Sequence, residues 1–552
     1  MSTHDPTVEV DYDVIIVGAG FAGLNALYRI REEGWSVRVL EGAGGVGGTW
    51  YWNRYPGARV DIESLEYSYA FSEELQDEWE WPERYSEQPD VLRYLEWVAD
   101  RLDLRRDIEL DTHVAAAHFD ERTMTWLVRT EDGRELRTTY CIMAVGFLSA
   151  THWPDIPGFD RFRGQLVHTG AWPREGVPLR ERKVGVIGAG ATTVQLVPRI
   201  APEVGHLTVF QRTPNWCFPM NNMPMPKEYE RYVKSIYPEV RREEYANRGA
   251  GVVLVGFELK RPQHRSVFDV SDEEREQIFE QFWADCALHV GGAFSDLMTD
   301  VRANDTLREF LERKIRSIVK DPRTAERLIP KNHPPFTRRP CGEHGYYEAF
   351  NRDNVSLVDA LDDPIVEIIE TGLRLQSGAE HELDVLISAT GFDAGTGGLT
   401  RVDIRGRDDR ILKEQWEHGA STHLGMMSSG FPNLFFLNAV QSPSAFFSPP
   451  LLGDYQIRCI VRMIHEIERH GAAAIEPRPE AEQAWVGHVN EVVEATLLPM
   501  ANSWWMGANI PGKPRQVVAY AGGFPEYERR AELALQDLRE YRLLQRDELV
   551  PA

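Results

Sequence analysis

The stretch Asp13-Val-Ile-Ile-Val-Gly18-Ala-Gly20-Phe-Ala-Gly23 decides the fold. The apolar run Asp13 to Gly20 reads as a buried strand feeding a glycine-rich turn. Ala22 to Glu33 has helical spacing, and Ser36 to Leu40 is a second strand. Strand, helix and strand make a βαβ unit, the start of a parallel sheet. Gly18 allows the tight turn, Gly20 lets a pyrophosphate approach the backbone, and Gly23 lets the helix pack close to the sheet. The helix N-terminus then favours phosphate charge. Glu41 closes the second strand, where its carboxylate accepts hydrogen bonds from both ribose hydroxyls of a dinucleotide.

A second βαβ unit follows, with strand Lys183 to Gly188, helix Thr192 to Ile200 and strand His206 to Gln211. Gly188 and Gly190 repeat the pattern, but Thr193 stands at the third glycine position and is expected to push the helix slightly from the sheet. Thr192 and Gln195, in the first turns of that helix, are assigned to the same nucleotide. Gln211 stands where Glu41 stands in the first unit, and Arg212 and Thr213 follow it. An acid there would repel a 2′-phosphate, whereas an arginine and a hydroxyl would bind one, so this site favours NADPH over NADH. The first fingerprint alone does not separate FAD from NAD. Its N-terminal position and the presence of the second assign it FAD. Two nucleotide sites imply hydride transfer from nicotinamide to flavin, with the final acceptor open.

Outward from these units, the 552-residue chain is long enough for several domains. The fold class is α/β: two Rossmann-like dinucleotide-binding domains, for FAD and NADP, with a mostly helical insertion. The expected division is 1–150 and 390–552 for the FAD domain, 151–220 and 333–389 for the NADP domain, and 221–332 for the insertion. The last piece of the FAD domain carries the substrate-pocket loop and a C-terminal helix. Glu41 to Asp61, rich in Gly, Trp and Pro, is expected to be a structured loop rather than a regular element. Tyr140 to Val145, Val355 to Leu357, Asp384 to Ala389 and Phe435 to Asn438 read as strands. Gly453 to His470 and Glu526 to Glu548 read as helices.

The formal charge of −25 disfavours nucleic acid and anionic membranes as partners. Five scattered cysteines (141, 217, 286, 341 and 459) with no CxxC argue against a disulfide framework, a zinc site or a dithiol centre. The start, Met1 to Tyr12, is polar and acidic, and Val14 to Val17 is too short for a signal peptide or span, so a cytoplasmic protein is expected. No metal is expected.

Two longer motifs carry a family resemblance. Phe162-Arg-Gly-Gln-Leu-Val-His168-Thr-Gly-Ala-Trp172-Pro173 fits FxGxxxHxxxWP, and Gly48-Thr49-Trp50-Tyr-Trp52-Asn-Arg-Tyr55-Pro56-Gly57-Ala-Arg59-Val-Asp61 fits GxWxxxx(F/Y)PGxxxD. Both resemble signatures of the Baeyer–Villiger monooxygenases, class B flavoprotein monooxygenases, within them the phenylacetone and steroid monooxygenase branch. The resemblance spans nearly the whole chain, including the closing segment Ala501 to Gly512. It implies that NADPH reduces FAD, that reduced flavin captures O2 as a C4a-peroxide, and that this attacks a ketone to give an ester or lactone.

The resemblance also implies roles. Such chemistry needs a fixed cation beside the oxygen adduct. The matching residue is Arg339, with Asp61 as the carboxylate that positions it. Arg338 stands where the family usually has a lysine near the 2′-phosphate, and either cation could serve. Trp504 matches the tryptophan that closes over NADP. Ala22, Thr49, Trp50, Trp52, Asp61, Tyr67 and Val114 match flavin-contacting positions, and Arg59 lies towards the nicotinamide. His168 and Trp172 are expected to link the two domains rather than perform chemistry. Gln441 to Pro450 resembles the substrate-pocket loop through Ser442-Pro443-Ser444, then departs: Phe446, Phe447, Pro449 and Pro450 stand where small residues and Asn-Met are usual. With Ser444, the two phenylalanines are expected to shape an altered pocket, and the prolines to stiffen the loop. The partners are O2 and a small ketone. Rival readings are an N- or S-oxygenating flavin monooxygenase, a nicotinamide–disulfide oxidoreductase and a non-catalytic flavin redox sensor.

Overall fold

The structure is a computed structural model that describes residues 9–247, 249, 252–255, 258–259 and 264–545. The polar stretch at Met1 and the last residues of the Glu526 to Glu548 reading lie partly outside them. Two parallel-rich sheets organise the chain. In the first, the strand Tyr12–Val17 lies between Val37–Leu40 and Glu135–Met143, parallel to both. Its side chains alternate between two cores: Val14 and Ile16 enter one, Ile15 and Val17 the other. That is the burial a parallel sheet covered on both faces requires. Val114–Asp120 and Thr125–Thr130 extend the sheet antiparallel. Asp403–Arg405 and Leu434–Phe436 return late in the chain to complete it.

The second sheet has five strands, all parallel, in the order Val355–Asp359, His206–Gln211, Lys183–Ile187, Val385–Ser388 and Gln165–His168. Each sheet thus draws strands from both sides of the insertion. A three-stranded meander, Ile365–Ile369, Gly372–Leu375 and Glu380–Glu382, caps this sheet through Phe162, Phe210 and Leu386.

The insertion is mainly helical, with a small hairpin of Leu254–Val255 and Glu258–Leu259. It serves two masters. Tyr229, Val233, Tyr237 and Val240 pack into the first core, whereas Phe279, Phe294, Leu307 and Phe310 pack into the second. Among the described residues no helix is long and apolar enough to cross a membrane.

Three expectations need correction. The Glu41 to Asp61 segment contains a one-turn helix, Thr49–Trp52. The helix expected from Gly453 begins at Pro449, so Pro449 and Pro450 stiffen no loop: they occupy its first turn, where a missing N–H costs nothing. The C-terminal helix runs Phe524–Asp537 and stops at Leu538, whose φ is 53°. Tyr541–Leu544 then forms a strand paired with Ala474–Pro477. The charged, periodic sequence continues past Asp537, but the edge of another strand supplies the chain with better partners than a further helical turn.

Candidate functional site

A continuous cleft of about 1830 Å³ lies between the two sheets. That exceeds the roughly 300–1,000 Å³ of a single small-ligand site, so it suits more than one occupant. At one end is the first glycine turn. Gly18 has φ 104°, and a Cβ there would meet the Ala144 carbonyl at 2.5 Å. A Cβ on Gly23 would lie 1.9 Å from the Gly18 carbonyl, which explains the close packing of helix on strand. Gly20 faces Gly48, whose Cα would be 3.4 Å from an added Cβ, so two bare backbones form the walls of a narrow cradle. Glu41 is buried. Its Oε2 accepts from Ala19 N at 2.5 Å and its Oε1 from Ala43 N at 2.8 Å. Burial pushes its carboxyl above the usual range, against those two hydrogen bonds. A turn of bare, closely approached backbone, beside an oriented acid, fits a dinucleotide pyrophosphate and ribose.

Ala22, Thr49, Trp50, Trp52, Tyr67 and Val114 all line this cleft. Trp50 Nε1 donates to Tyr67 Oη at 3.1 Å, and burial pushes the Tyr67 phenol up to about 12. Trp504 lines it from the C-terminal segment, edge-on to Phe147 at 5.8 Å and to Trp505 at 5.7 Å.

The second glycine turn differs. Gly188 has φ 135° and a Cβ there would meet the Ala389 carbonyl at 2.4 Å, but nothing lies within 4 Å of a Cβ on Gly190. Gly190 and the N-terminus of helix Ala191–Ile200 thus face open space, and Ala191 and Thr192 line the cleft. Thr193, in place of a third glycine, is fully buried and its Oγ1 has no partner. Arg212 follows the strand His206–Gln211, and Arg338 lies near it: burial pulls the Arg338 pKa below the usual arginine range, opposed by Cys341 and helped by the Arg212 charge.

Gln195 lines the cleft, yet both ends of its amide are engaged by protein. Tyr55 Oη donates to Gln195 Oε1 at 2.8 Å, and Gln195 Nε2 donates to the Arg59 carbonyl at 3.1 Å. Gly57 sits so close that an added Cβ would lie 2.5 Å from the Gln195 carbonyl. These contacts lock the loop carrying Tyr55, Gly57 and Arg59 onto the helix Ala191–Ile200. Arg59 itself pairs with Glu87 at 2.5 Å and Glu83 at 3.4 Å. His168 is buried; its Nδ1 accepts from Gly170 N at 3.0 Å and its Nε2 lies 3.2 Å from the His152 carbonyl. Trp172 is buried in the second core. Both side chains are thus engaged by protein.

Between the two turns stands the ion pair of Arg339 and Asp61, joined by a short hydrogen bond from Nη2 to Oδ2 across 278 residues of sequence. The Arg339 side chain is 37 % exposed, and that face opens on the cleft. The Asp61 charge raises the Arg339 pKa beyond its usual value, against burial. Asn215 Nδ2 donates to the Arg339 carbonyl at 2.9 Å, and the parallel strands Cys217–Pro219 and Cys341–Glu343 fix the backbone beyond it.

The pocket loop also reaches the cleft. Ser444 and Phe446 line it, and the Phe446 ring packs on Trp505 at 4.7 Å. Phe447 reaches it only in part. It is 4 % exposed and its ring stacks on Phe524 at 4.4 Å. The loop is tied down by Ser442 Oγ donating to the Ala439 carbonyl at 2.7 Å and by Tyr520 N donating to the Ser442 carbonyl at 2.9 Å.

Comparison with known proteins places this geometry. The family model described as pyridine nucleotide-disulphide oxidoreductase matches residues 12–235. A Baeyer–Villiger monooxygenase of Pseudooceanicola batsensis is 42% identical over 524 residues, covering 94% of each chain. A phenazine N-monooxygenase of Lysobacter antibioticus is 40% identical, covering 95% of this chain and 94% of that one. A solved structure of oxidised steroid monooxygenase bound to NADP superposes with a TM-score of 0.90 at 43% identity, covering 97% of this chain and 99% of that one. With both nucleotide cradles, the cleft cation and this extent of likeness, the chain belongs to the Baeyer–Villiger monooxygenases, the flavin- and NADPH-dependent enzymes that oxygenate ketones.

Proposed function

We propose that the Gly18–Gly23 turn, Glu41 and the Thr49–Trp52 helix hold FAD, and that the helix beginning at Ala191, with Arg212, Thr213 and Arg338, holds NADPH. Together, when bound, these groups supply hydride and oxygen activation for ester or lactone formation from a ketone. The observation that carries the reading is the Arg339–Asp61 pair, a permanent cation opening on the cleft between the two nucleotide cradles. Arg339 keeps its charge at any working pH because Asp61 raises an already high pKa. A guanidinium aimed into a cleft stabilises negative charge on oxygen, where exclusion of water strengthens it. Asp61 and Asn215 are the positioning groups. Phe446, Trp505 and Leu437 form an apolar wall that displaces water and leaves a ketone carbonyl as the polar end of the substrate.

Arg339→Ala should lower ester formation by about 100- to 1,000-fold, the effect of removing one such donor, while NADPH still bleaches the flavin. Ester production near the wild-type rate would overturn the role of Arg339. Production of N-oxide from phenazine with no ester from any ketone would overturn the assignment to ketones.

A further inference from the structure

Phe336 adopts φ 64°, the left-handed region that a bulky side chain rarely enters. Glycine would sit there without strain. The loop is pinned on both sides of it. Fully buried Asn304 donates from Nδ2 to the carbonyls of Leu297 at 2.8 Å and Pro335 at 3.1 Å. Trp216 Nε1 donates to the His333 carbonyl at 3.2 Å. Thr337, also fully buried, donates from Oγ1 to the Pro334 carbonyl at 2.7 Å. A network this dense, with two prolines inside it, can hold a residue in a conformation its own sterics disfavour. Strain of this kind is retained at functional sites.

The half-buried ring that this backbone projects lines the same cleft as Arg339, three residues further along the chain. It rests against Phe218, centroids 5.0 Å apart, and against Gly291, where a Cβ would come within 3.1 Å of it. The ring thus shares the cleft with Arg339 and with Leu288 and Met298 of the insertion. Neither signature motif covers Phe336.

We propose that Phe336 is a specificity-determining residue of the ketone site: its ring forms the apolar wall on which an aryl or alicyclic ketone lies while its carbonyl faces Arg339. The inference rests on the reading of the cleft as a ketone-oxygenating site. Flat apolar rings gain from stacking on an aromatic face, and small acyclic ketones have no ring to stack.

Phe336→Gly and Phe336→Ala, with Phe336→Asn as a third variant that also tolerates the left-handed backbone, separate function from structure. The measurements are kcat/KM for phenylacetone and for 2-butanone at saturating NADPH, KM for NADPH, and Tm. All three variants should lower the phenylacetone to 2-butanone ratio by about three- to tenfold, the worth of one aromatic contact. The glycine variant should melt no lower than the alanine variant, since glycine takes this φ without strain. An unchanged ratio in an active enzyme overturns the proposal, as does a loss that appears in the KM for NADPH instead. A glycine variant less stable than the alanine one overturns the strain argument. Should the wild type consume NADPH yet give ester from neither ketone, the reading of the site falls, and this inference with it.

Discussion

Coenzyme choice should be held mainly by Arg338, not by the arginine that pattern reading picks first. Arg212 sits at the textually expected place after the second strand, but it is exposed, whereas Arg338 is half-buried. The two are close enough for the charge of Arg212 to help lower the Arg338 pKa, and among the described residues neither makes an ion pair with a carboxylate. Two uncompensated cations form a seat for a dianion. A hydrogen bond between charged groups sheltered from water contributes about 1.5–3 kcal/mol, or roughly 10- to 150-fold, whereas an exposed pair contributes about 0.2–1 kcal/mol. Arg338→Ala should therefore lower kcat/KM for NADPH by about 10- to 150-fold and Arg212→Ala by only about 1.5- to 5-fold. NADH, which lacks the 2′-phosphate, should be unaffected by either. Arg338→Lys should recover part of the loss, since charge is kept and the planar fork is not. The assay is initial-rate coenzyme oxidation with both nucleotides at fixed ionic strength, because salt screens the exposed arginine first. Discrimination should weaken below about pH 6, where the phosphate takes up its second proton. A parallel loss with NADPH and NADH, or a larger loss at Arg212 than at Arg338, would refute the reasoning.

Other consequences can be checked with fewer variants. Gly23→Ala should prevent FAD retention and lower Tm, because its Cβ would land 1.9 Å from a carbonyl oxygen. Gly190→Ala should leave Tm intact and raise the KM for NADPH, because the methyl enters open space that only the nucleotide fills. Thr193→Val should hold or raise Tm in a thermal melt, since it removes a buried hydroxyl with no partner at a site where such a group costs about 1–3 kcal/mol. Burial pushes Glu343 up from 4.5 to about 7. The folded chain therefore keeps a proton that the unfolded chain has released across that window. This contribution to stability falls as pH rises through it and is level above. Glu343→Gln should flatten the decline of the unfolding free energy, read from urea melts, between pH 5 and pH 8 by up to about 3 kcal/mol; an identical slope in the variant would assign the decline to other carboxyls. Phe446→Ala should change the range of ketones accepted, while Phe447→Ala should mainly lower Tm, because its ring is spent on the stack with Phe524.

Local chemistry was the legible part. The two glycine turns, Glu41, Arg212 and the strands around them follow from steric and charge rules that act within about thirty residues, and the sheets contain them where the pattern put them. Arg339 and Asp61 needed the family resemblance, since nothing in spacing alone joins residues 278 apart. What escaped was decided by tertiary partners. Pro449 and Pro450 read as loop stiffeners, yet they are equally good first residues of a helix, and packing of that helix against Phe21–Glu32 chooses between the two. Past Asp537 the charged periodicity is compatible with more helix, but Ala474–Pro477 offers a ladder and wins. Phe336 was invisible for a simpler reason: propensity assigns a left-handed φ to Gly, Asn or Asp, never to a phenylalanine held there by Asn304 and Thr337.

The Tyr55–Gln195 contact explains why the cation and its carboxylate can come from opposite halves of the molecule. Asp61 belongs to the loop that follows the Thr49–Trp52 helix, and Arg339 to the segment that leads into the strand Cys341–Glu343, so their separation is set by how the two halves dock. Gly57 brings its backbone against the Ala191–Ile200 helix, Tyr55 donates to Gln195, and Gln195 donates back to Arg59, all within six residues of Asp61. The docking is thus fixed beside the charge it must position. The signature that spans these residues tolerates phenylalanine at position 55, which keeps the packing but not the hydroxyl. Tyr55→Phe should therefore retain FAD and fold normally, yet slow flavin reduction more than it weakens NADPH binding, because what it loosens is the angle between two intact sites. Equal effects on both steps would mean that the glycine contact alone sets the dock.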